Sequence, residues 1–341
     1  MAAPWRHRMR GSPMRIWLLV LLFWLPPCVT VAFELEPLHT RNLAPPALIH
    51  GIPTLQPARV LKPGVRQWNL TVDGVSNFTF RSADGATTRL DGETWRAELT
   101  LKRGLANGFE AGLVLPWLRH SGGFLDHFIE NWHDLFGLPQ GGRDTAARNR
   151  LNYSYSDATG RSFTRTSATE GIGDLALEAG WQWLEAADGD SLSVRGRLKL
   201  PTGSSARLTG SGGWDGALWL SGERRRQAAF GPWVLYGGAG ILLTETGNLL
   251  PGLRRNQAVT VTLGAGWQPW SRLGLQLQFD GHTPLYRHTG LREFDRFAGQ
   301  LALGGQADLG KATTLELAVV EDILVDTAPD VVLHLGLRRN F

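Results

Sequence analysis

The chain has 341 residues, including 42 glycines, 14 tryptophans and 14 phenylalanines, and only 19% of its residues are charged. This composition excludes a disordered protein and a helical repeat. Four arginines within residues 1–32 account for the whole formal net charge of +4, so the remaining chain lacks the basic surface that nucleic-acid binding requires.

Residues 1–32 are predicted to be an export signal peptide. An arginine-rich stretch precedes an apolar run from Ile16 to Leu25, two prolines follow, and small residues end at Ala32. Ten apolar residues are too few to span a bilayer. We therefore expect an exported mature chain that begins at Phe33. Translation can start at Met1, Met9 or Met14.

The only cysteine, Cys28, lies within the predicted signal peptide. The mature chain is therefore expected to have no disulfide, no thiol catalysis and no cysteine-bound metal.

Residues 33–64 are rich in proline, which excludes a regular central strand there. The sequence leaves two possibilities open. The segment is either a periplasmic lead-in to the following domain or a plug that enters it.

Residues 65–341 are predicted to form one transmembrane antiparallel β-barrel of about twelve strands. Apolar and polar residues alternate along one segment after another, as from Trp95 to Leu101 and from Val331 to Leu337. Short connections such as 103–107 and 269–271 alternate with mostly longer ones such as 81–92 and 119–172. An outer-membrane barrel with periplasmic turns and extracellular loops has this organisation, and tryptophans near the strand ends suit the lipid headgroups.

One amphipathic helix is predicted inside the longest loop, 119–172. Apolar residues recur at helical spacing over residues 123–136, and Gly137 and Pro139 end the pattern. The helix is expected to rest on the membrane surface, to gate the barrel mouth, or to act as a structural lid on the rim. The residues assigned to this lid are Phe124, Leu125, Phe128, Ile129, Trp132, His133, Leu135 and Phe136.

Charged residues on the polar faces of the strands are predicted to line the lumen. The basic ladder Arg195, Arg197 and Lys199 either forms a path for an anion or neutralises the acids of the preceding strand. The predicted lumen-lining residues are Arg96, Glu98, Asp174, Glu178, Arg195, Arg197, Lys199, Asp280, Glu316 and Arg338.

Several motifs resemble a family of Gram-negative outer-membrane proteins catalogued as domain of unknown function thirty-one eighty-seven. The most specific is the stretch from Gly122 to Arg143, and others are Gly171-Ile172-Gly173-Asp174 and Lys199-Leu200-Pro201-Thr202-Gly203. The resemblance implies an outer-membrane location and a barrel fold, but no reaction. It also implies that the terminal Phe341 is the signal read by the barrel-assembly machinery.

We expect a narrow channel or passive transporter of small solutes with the loop helix as its lid. The alternatives are a lipid-modifying hydrolase and a structural or adhesive barrel without transport. A hydrolase would use a dyad formed near Asp280 and His282, or among His120, Ser121 and His127. The sequence predicts no defined catalytic residues, no metal site and no cofactor. The expected partners are outer-membrane lipid, lipopolysaccharide, the barrel-assembly machinery and periplasmic chaperones, but no nucleic acid; the oligomeric state is left open.

Overall fold

The computed structural model describes residues 34–125, 131, 148–324 and 327–341. Twelve strands form a closed antiparallel barrel, as the alternating pattern predicted, because the last strand pairs with the first from Gln67–Asn340 to Ser76–Val331. The barrel strands are β1 (Arg66–Ala83), β2 (Ala86–Gly104), β3 (Phe109–Ser121), β7 (Ala176–Glu185), β8 (Asp190–Lys199), β9 (Asp215–Ala228), β10 (Gly231–Thr244), β11 (Gln257–Trp270), β12 (Leu273–His282), β13 (Ala298–Gly310), β14 (Thr313–Asp322) and β15 (Val331–Asn340).

Three short strands lie between β3 and β7 and extend one rim of the barrel. They are β4 (Asn152–Asp157), β5 (Ser162–Arg165) and β6 (Thr169–Ile172). Strand β4 pairs with the first residues of β2, β5 pairs with β4, and β6 pairs with the end of β3. The rim that carries β4 to β6 and the long connections is called the loop end, and the opposite rim is called the turn end.

The prediction that residues 81–92 form a loop is wrong. Strands β1 and β2 remain paired as far as Ala83–Ala86, and a two-residue turn joins them. Asp84 and Gly85 have φ angles of 50° and 74°, and positive φ at both positions is typical of the tightest hairpin turns. The apolar alternation that revealed the other strands is lost here, because this hairpin extends beyond the barrel into the β4–β5 rim.

The outer face of the barrel is apolar. Leucines such as Leu263 and Leu303 are exposed on it to 60% and 66%, while the neighbouring positions along the strands point into the lumen. Such a band of exposed apolar side chains fits a lipid environment. None of the helices among the described residues is long and apolar enough to cross a membrane.

Residues 34–61, called the lumen segment, lie inside the barrel. Its first residue, Glu34, lies near Arg225 at the turn end, and the segment forms one helical turn at Pro45–Leu48 near the loop end. It then returns to Leu61, whose backbone N–H donates to Glu110 at 2.8 Å close to the turn end. The described part of the proline-rich region therefore lies within the barrel.

The lumen segment supplies much of the buried apolar core. Its apolar side chains pack against inward side chains such as Trp219 and Tyr236. Leu35 packs against two wall glycines. A Cβ at Gly274 would lie 2.5 Å from one methyl carbon of Leu35, and a Cβ at Gly266 would lie 2.9 Å from the other. Glycine is required at these positions because the segment approaches the wall so closely.

Two short helical turns occur elsewhere at the ends of the barrel. Ala106–Gly108 joins β2 to β3, and Ser205–Arg207 lies between β8 and β9. A further helical turn at Arg292–Asp295 packs Phe294 into the core at the loop end.

Candidate functional site

The lumen is the candidate functional site, and it contains every one of the ten residues that were predicted to line it. The structure places these side chains within the barrel, paired with each other or with the lumen segment; their partners are given below. The most buried are Arg96, Glu98, Arg195 and Lys199, at 1–3% exposure.

Glu98 joins the lumen segment to the wall. It accepts hydrogen bonds from Arg41 of the segment at 3.1 Å and from its wall neighbour Arg96. His39 lies 2.9 Å from its other oxygen. Arg41 also donates to the carbonyl of Ile52 at 3.0 Å, so it ties the two arms of the segment together.

A chain of charged groups continues from this point around the wall. Arg96 lies 3.7 Å from Asp73, and His334 contacts Asp73 at 2.6 Å and Glu316 at 2.9 Å. Glu316 in turn accepts the backbone N–H of His39 at 2.8 Å. Nearby, Arg338 contacts Glu36 of the lumen segment.

The basic ladder of β8 is paired along its length. Lys199 contacts Asp174 at 2.5 Å, and Arg197 lies 3.4 Å from Glu178. Arg195 contacts Glu110 of β3. Lys199 and Arg197 thus pair with acids just before and within β7, and Arg195 pairs with an acid of β3.

Asp280 also holds the lumen segment. It accepts a hydrogen bond from Thr40 at 2.5 Å and one from Thr262 at 2.7 Å. The nearby Asn42 amide lies 3.0 Å from the imidazole of His282 and donates to the carbonyl of Thr327 at 2.9 Å.

A histidine anchors the tip of the lumen segment at the loop end. Arg254 donates to Nδ1 of His50 at 3.0 Å, so Nε2 carries the proton and donates to Tyr286 at 3.2 Å. Tyr286 donates onward to the carbonyl of Pro46 at 2.9 Å. Burial, followed by the charge of Arg254, lowers the pKa of His50 well below its ordinary value of 6.5, and the imidazole is neutral while the tip is docked.

Only small spaces separate the lumen segment from the wall where the described residues line them. Two cavities, beside Thr40 and beside Gln56, each hold about 20 Å³, and one beside Ala47 holds about 30 Å³. Such volumes admit about one water molecule. A solute of the size of a sugar fits none of them.

The predicted lid helix lies mostly outside the described residues, including Phe128, Ile129, Trp132, His133, Leu135 and Phe136. Its first residues are not helical. Phe124 stacks on Trp95 with ring centroids 6.0 Å apart, and Leu125 packs beside Val331. Trp95 and Val331 belong to the outward-facing positions of their strands, so this part of the loop lies on the outer face instead of the mouth.

Glu93 explains this course of the loop. Its carboxylate accepts the backbone N–H of Phe124 at 2.7 Å and also that of Leu125. Gly123, with φ of 70°, allows the chain to turn over the carboxylate, where a Cβ would overlap it.

The histidines proposed for a hydrolase dyad have structural partners. His120 contacts the Thr94 hydroxyl at 2.8 Å and the carbonyl of Leu208 at 3.0 Å. His282 contacts Asn42 and the carbonyl of Thr283. His127 lies outside the described residues. Over the described ranges, no group of three His, Cys, Asp or Glu residues could hold a metal ion.

Comparison with known families identifies the chain. A family model described as "Protein of unknown function (DUF3187)" matches residues 15–341. The chain belongs to this family. No curated protein matches the sequence.

Solved structures share the fold of this DUF3187 protein. The COG4313 outer membrane channel from Pseudomonas putida F1 has a TM-score of 0.55 and 13% identity, with 83% of this chain and 98% of that chain covered. The NanC porin (TM-score 0.43, 11% identity, 79% and 98% covered) and the KdgM porin in complex with disordered oligogalacturonate (0.42, 9%, 81% and 99%) are more distant. The similarity to the COG4313 channel shows that this chain has the fold of an outer-membrane barrel.

Sequence reasoning did not single out several residues that hold the lumen segment. The clearest are the glutamines Gln182, Gln278 and Gln306, together with Asp215. All occupy inward positions of their strands. Polarity at such positions was the available signal, but it does not reveal what a side chain faces across the lumen.

Proposed function

We propose that this protein is an outer-membrane channel for small polar solutes and that the lumen segment closes it in the resting state. One observation carries this proposal: the wall has a polar lining of its own. Lys199 pairs with Asp174, His334 with Asp73, and Arg195 with Glu110. These pairs would persist without the lumen segment.

A segment that served only as a permanent core would need no such wall. Buried ion pairs contribute little to stability in comparison with apolar side chains of similar volume. A charged lumen therefore favours a function in which water and polar solutes enter the barrel. This distinguishes a channel from a purely structural or adhesive barrel.

The apolar outer face supports a location in the outer membrane, in contact with lipid and lipopolysaccharide. By analogy with other outer-membrane barrels, the turn end faces the periplasm and the loop end faces outward. Phe341, whose backbone N–H and carbonyl pair with Arg66 at 2.9 Å, is proposed to be read by the barrel-assembly machinery. Cysteines at Lys311 and Thr159 test this orientation, because only the second should react with a membrane-impermeant maleimide on whole cells.

Closure is assigned to the lumen segment in place of the loop helix 123–136. The segment occupies the lumen from one end to the other, whereas Phe124 and Leu125 lie on the outer face. Opening then requires the lumen segment to leave part of the barrel, and this motion breaks hydrogen bonds at Glu98, Asp280 and Asp215.

A reversible disulfide between the segment and the wall tests the proposal. A Cβ at Gly51 would lie 3.0 Å from the Cβ of Asp215, so a further separation by about half an ångström or slightly more gives disulfide geometry. The variant Gly51→Cys/Asp215→Cys is reconstituted into liposomes, and uptake of small sugars and amino acids is measured. We expect oxidation to abolish uptake and reduction to restore it.

Each single-cysteine variant is the matched control and should be insensitive to oxidation and reduction. Uptake that continues in the fully oxidised double variant would contradict closure by the lumen segment. Absence of uptake in the wild type and in every reduced variant would contradict the channel itself and leave a structural barrel.

A further inference from the structure

Two wall glutamines hold the main chain of the lumen segment in the manner of a neighbouring β-strand. Gln306 accepts the N–H of Glu36 at 3.1 Å and donates to its carbonyl at 3.0 Å. Gln278 accepts the N–H of Leu38 at 2.9 Å and donates to its carbonyl at 3.0 Å. The clamped residues are two apart, which is the period of an extended chain.

A third glutamine binds main-chain groups of two residues on the returning arm. Gln182 accepts the N–H of Val60 at 2.8 Å and donates to the carbonyl of Ala58 at 3.0 Å. Carboxylates accept further main-chain donors, for example Asp215 from Gly51 at 2.7 Å. Both arms of the segment are therefore held through backbone groups, which every peptide possesses.

We propose that the lumen is a binding site for extended peptides and that the lumen segment occupies it as a built-in competitor. This inference rests on the proposed function, because a foreign peptide can bind only when the segment has left. The clamps of Gln306 and Gln278 each pair the donor and the acceptor of one residue, and they repeat at the spacing of a strand. A polyamine has no acceptors for such clamps, and the hydroxyls of a sugar have no fixed order of donor and acceptor.

Side-chain contacts add a preference to this main-chain recognition. Arg41 stands three residues after the clamped Leu38 and reaches Glu98. The geometry thus favours peptides with a basic residue at this spacing, because the buried carboxylate gains a charged partner.

The test uses the full-length protein in planar bilayers, with openings of the channel recorded before and after peptide is added at the turn end. The probe is a synthetic peptide with the sequence of residues 34–44, blocked at both termini. Its matched control carries an N-methyl group at the position of Leu38, which removes the donor to Gln278 and leaves the side chains unchanged. We expect the unmodified peptide to block the current, and the N-methylated peptide to need about tenfold higher concentration.

The protein side of the same contact is tested with Gln278→Met, which keeps the length of the side chain but lacks the amide. This variant should no longer distinguish the two peptides. A peptide with glutamate in place of the arginine should block more weakly in both proteins.

The outcomes separate this inference from the proposed function. A protein that never opens contradicts the channel. A protein that opens but is not blocked by the peptide, or is blocked equally by its N-methylated form, contradicts the peptide site alone. Block by spermine or maltohexaose at concentrations as low as those of the peptide would also overturn it.

Discussion

The substitution Arg41→Ala tests how firmly the lumen segment is held. Arg41 is 7% exposed and makes two contacts, one with Glu98 of the wall at 3.1 Å and one with the carbonyl of Ile52 at 3.0 Å. Removing it breaks one of the contacts between the segment and β2 and one of the links between its two arms. The wall should remain intact, because Glu98 keeps Arg96 and His39 as partners.

The expected magnitude follows from these two contacts. Both hydrogen bonds involve the charged guanidinium, and a hydrogen bond to a charged group contributes about 1.5–3 kcal/mol. Since Glu98 retains two partners, we expect the substitution to weaken docking by about 2–3 kcal/mol. Because about 1.4 kcal/mol corresponds to a factor of ten, the detached population should rise about 30- to 150-fold.

A cysteine at Ala47, which is 6% exposed at the tip of the segment, reports the detached state. The mature chain is expected to lack cysteine, so the labelling rate with a maleimide measures this site alone. The rate should rise by the same factor in Arg41→Ala. Arg41→Lys, which can keep only one contact, should give an intermediate rate.

Arg226→Ala serves as the control, because Arg226 pairs with Asp188 at the turn end, away from the lumen segment. It should label at the wild-type rate. If the labelling rate of folded Arg41→Ala also stays within twofold of the wild-type rate, the two hydrogen bonds of Arg41 do not hold the segment.

Three further predictions concern pH, packing and lipid. Because the docked His50 has a lowered pKa, the detached state binds the extra proton below pH 6.5; docking should be unaffected above that pH and weaken by up to about tenfold per unit below it. The variant His50→Gln can still accept a hydrogen bond from Arg254 and donate one to Tyr286, and it should abolish this part of the pH dependence. An unchanged pH profile would exclude His50 as its source. The other charged groups near position 50, Lys199, Asp215 and His282, are common to both proteins. Gly274→Val should displace Leu35 and speed tryptic cleavage after Arg41 by at least tenfold, and cleavage at the wild-type rate would show that the glycine seat is dispensable. Leu263→Arg on the outer face should destabilise the barrel by about 2–4 kcal/mol if it faces the bilayer centre, measured by unfolding in lipid vesicles, and more than Leu309→Arg near the turn end; equal effects would place the lipid belt elsewhere.

The barrel can be predicted from the order of apolar and polar residues alone. In a wall with lipid on one side and polar groups on the other, every strand must alternate with a period of two, and the short turns must alternate with longer connections. That pattern predicted twelve strands, and it also identified inward charges such as Glu98 and Lys199. It failed for the β1–β2 hairpin, since β-pairing beyond the bilayer needs no apolar face.

The filling of the lumen, in contrast, follows from contacts that form only in the folded protein. The prolines of the lumen segment exclude a strand but do not determine whether the segment lies inside or outside the barrel. Its position depends on complementarity between residues far apart in sequence: Leu35 with Gly274, Leu38 with Gln278, and Arg41 with Glu98. The glycine and the glutamine are unremarkable on their own strands, because such a residue at an inward position acquires its role only from what lies across the lumen.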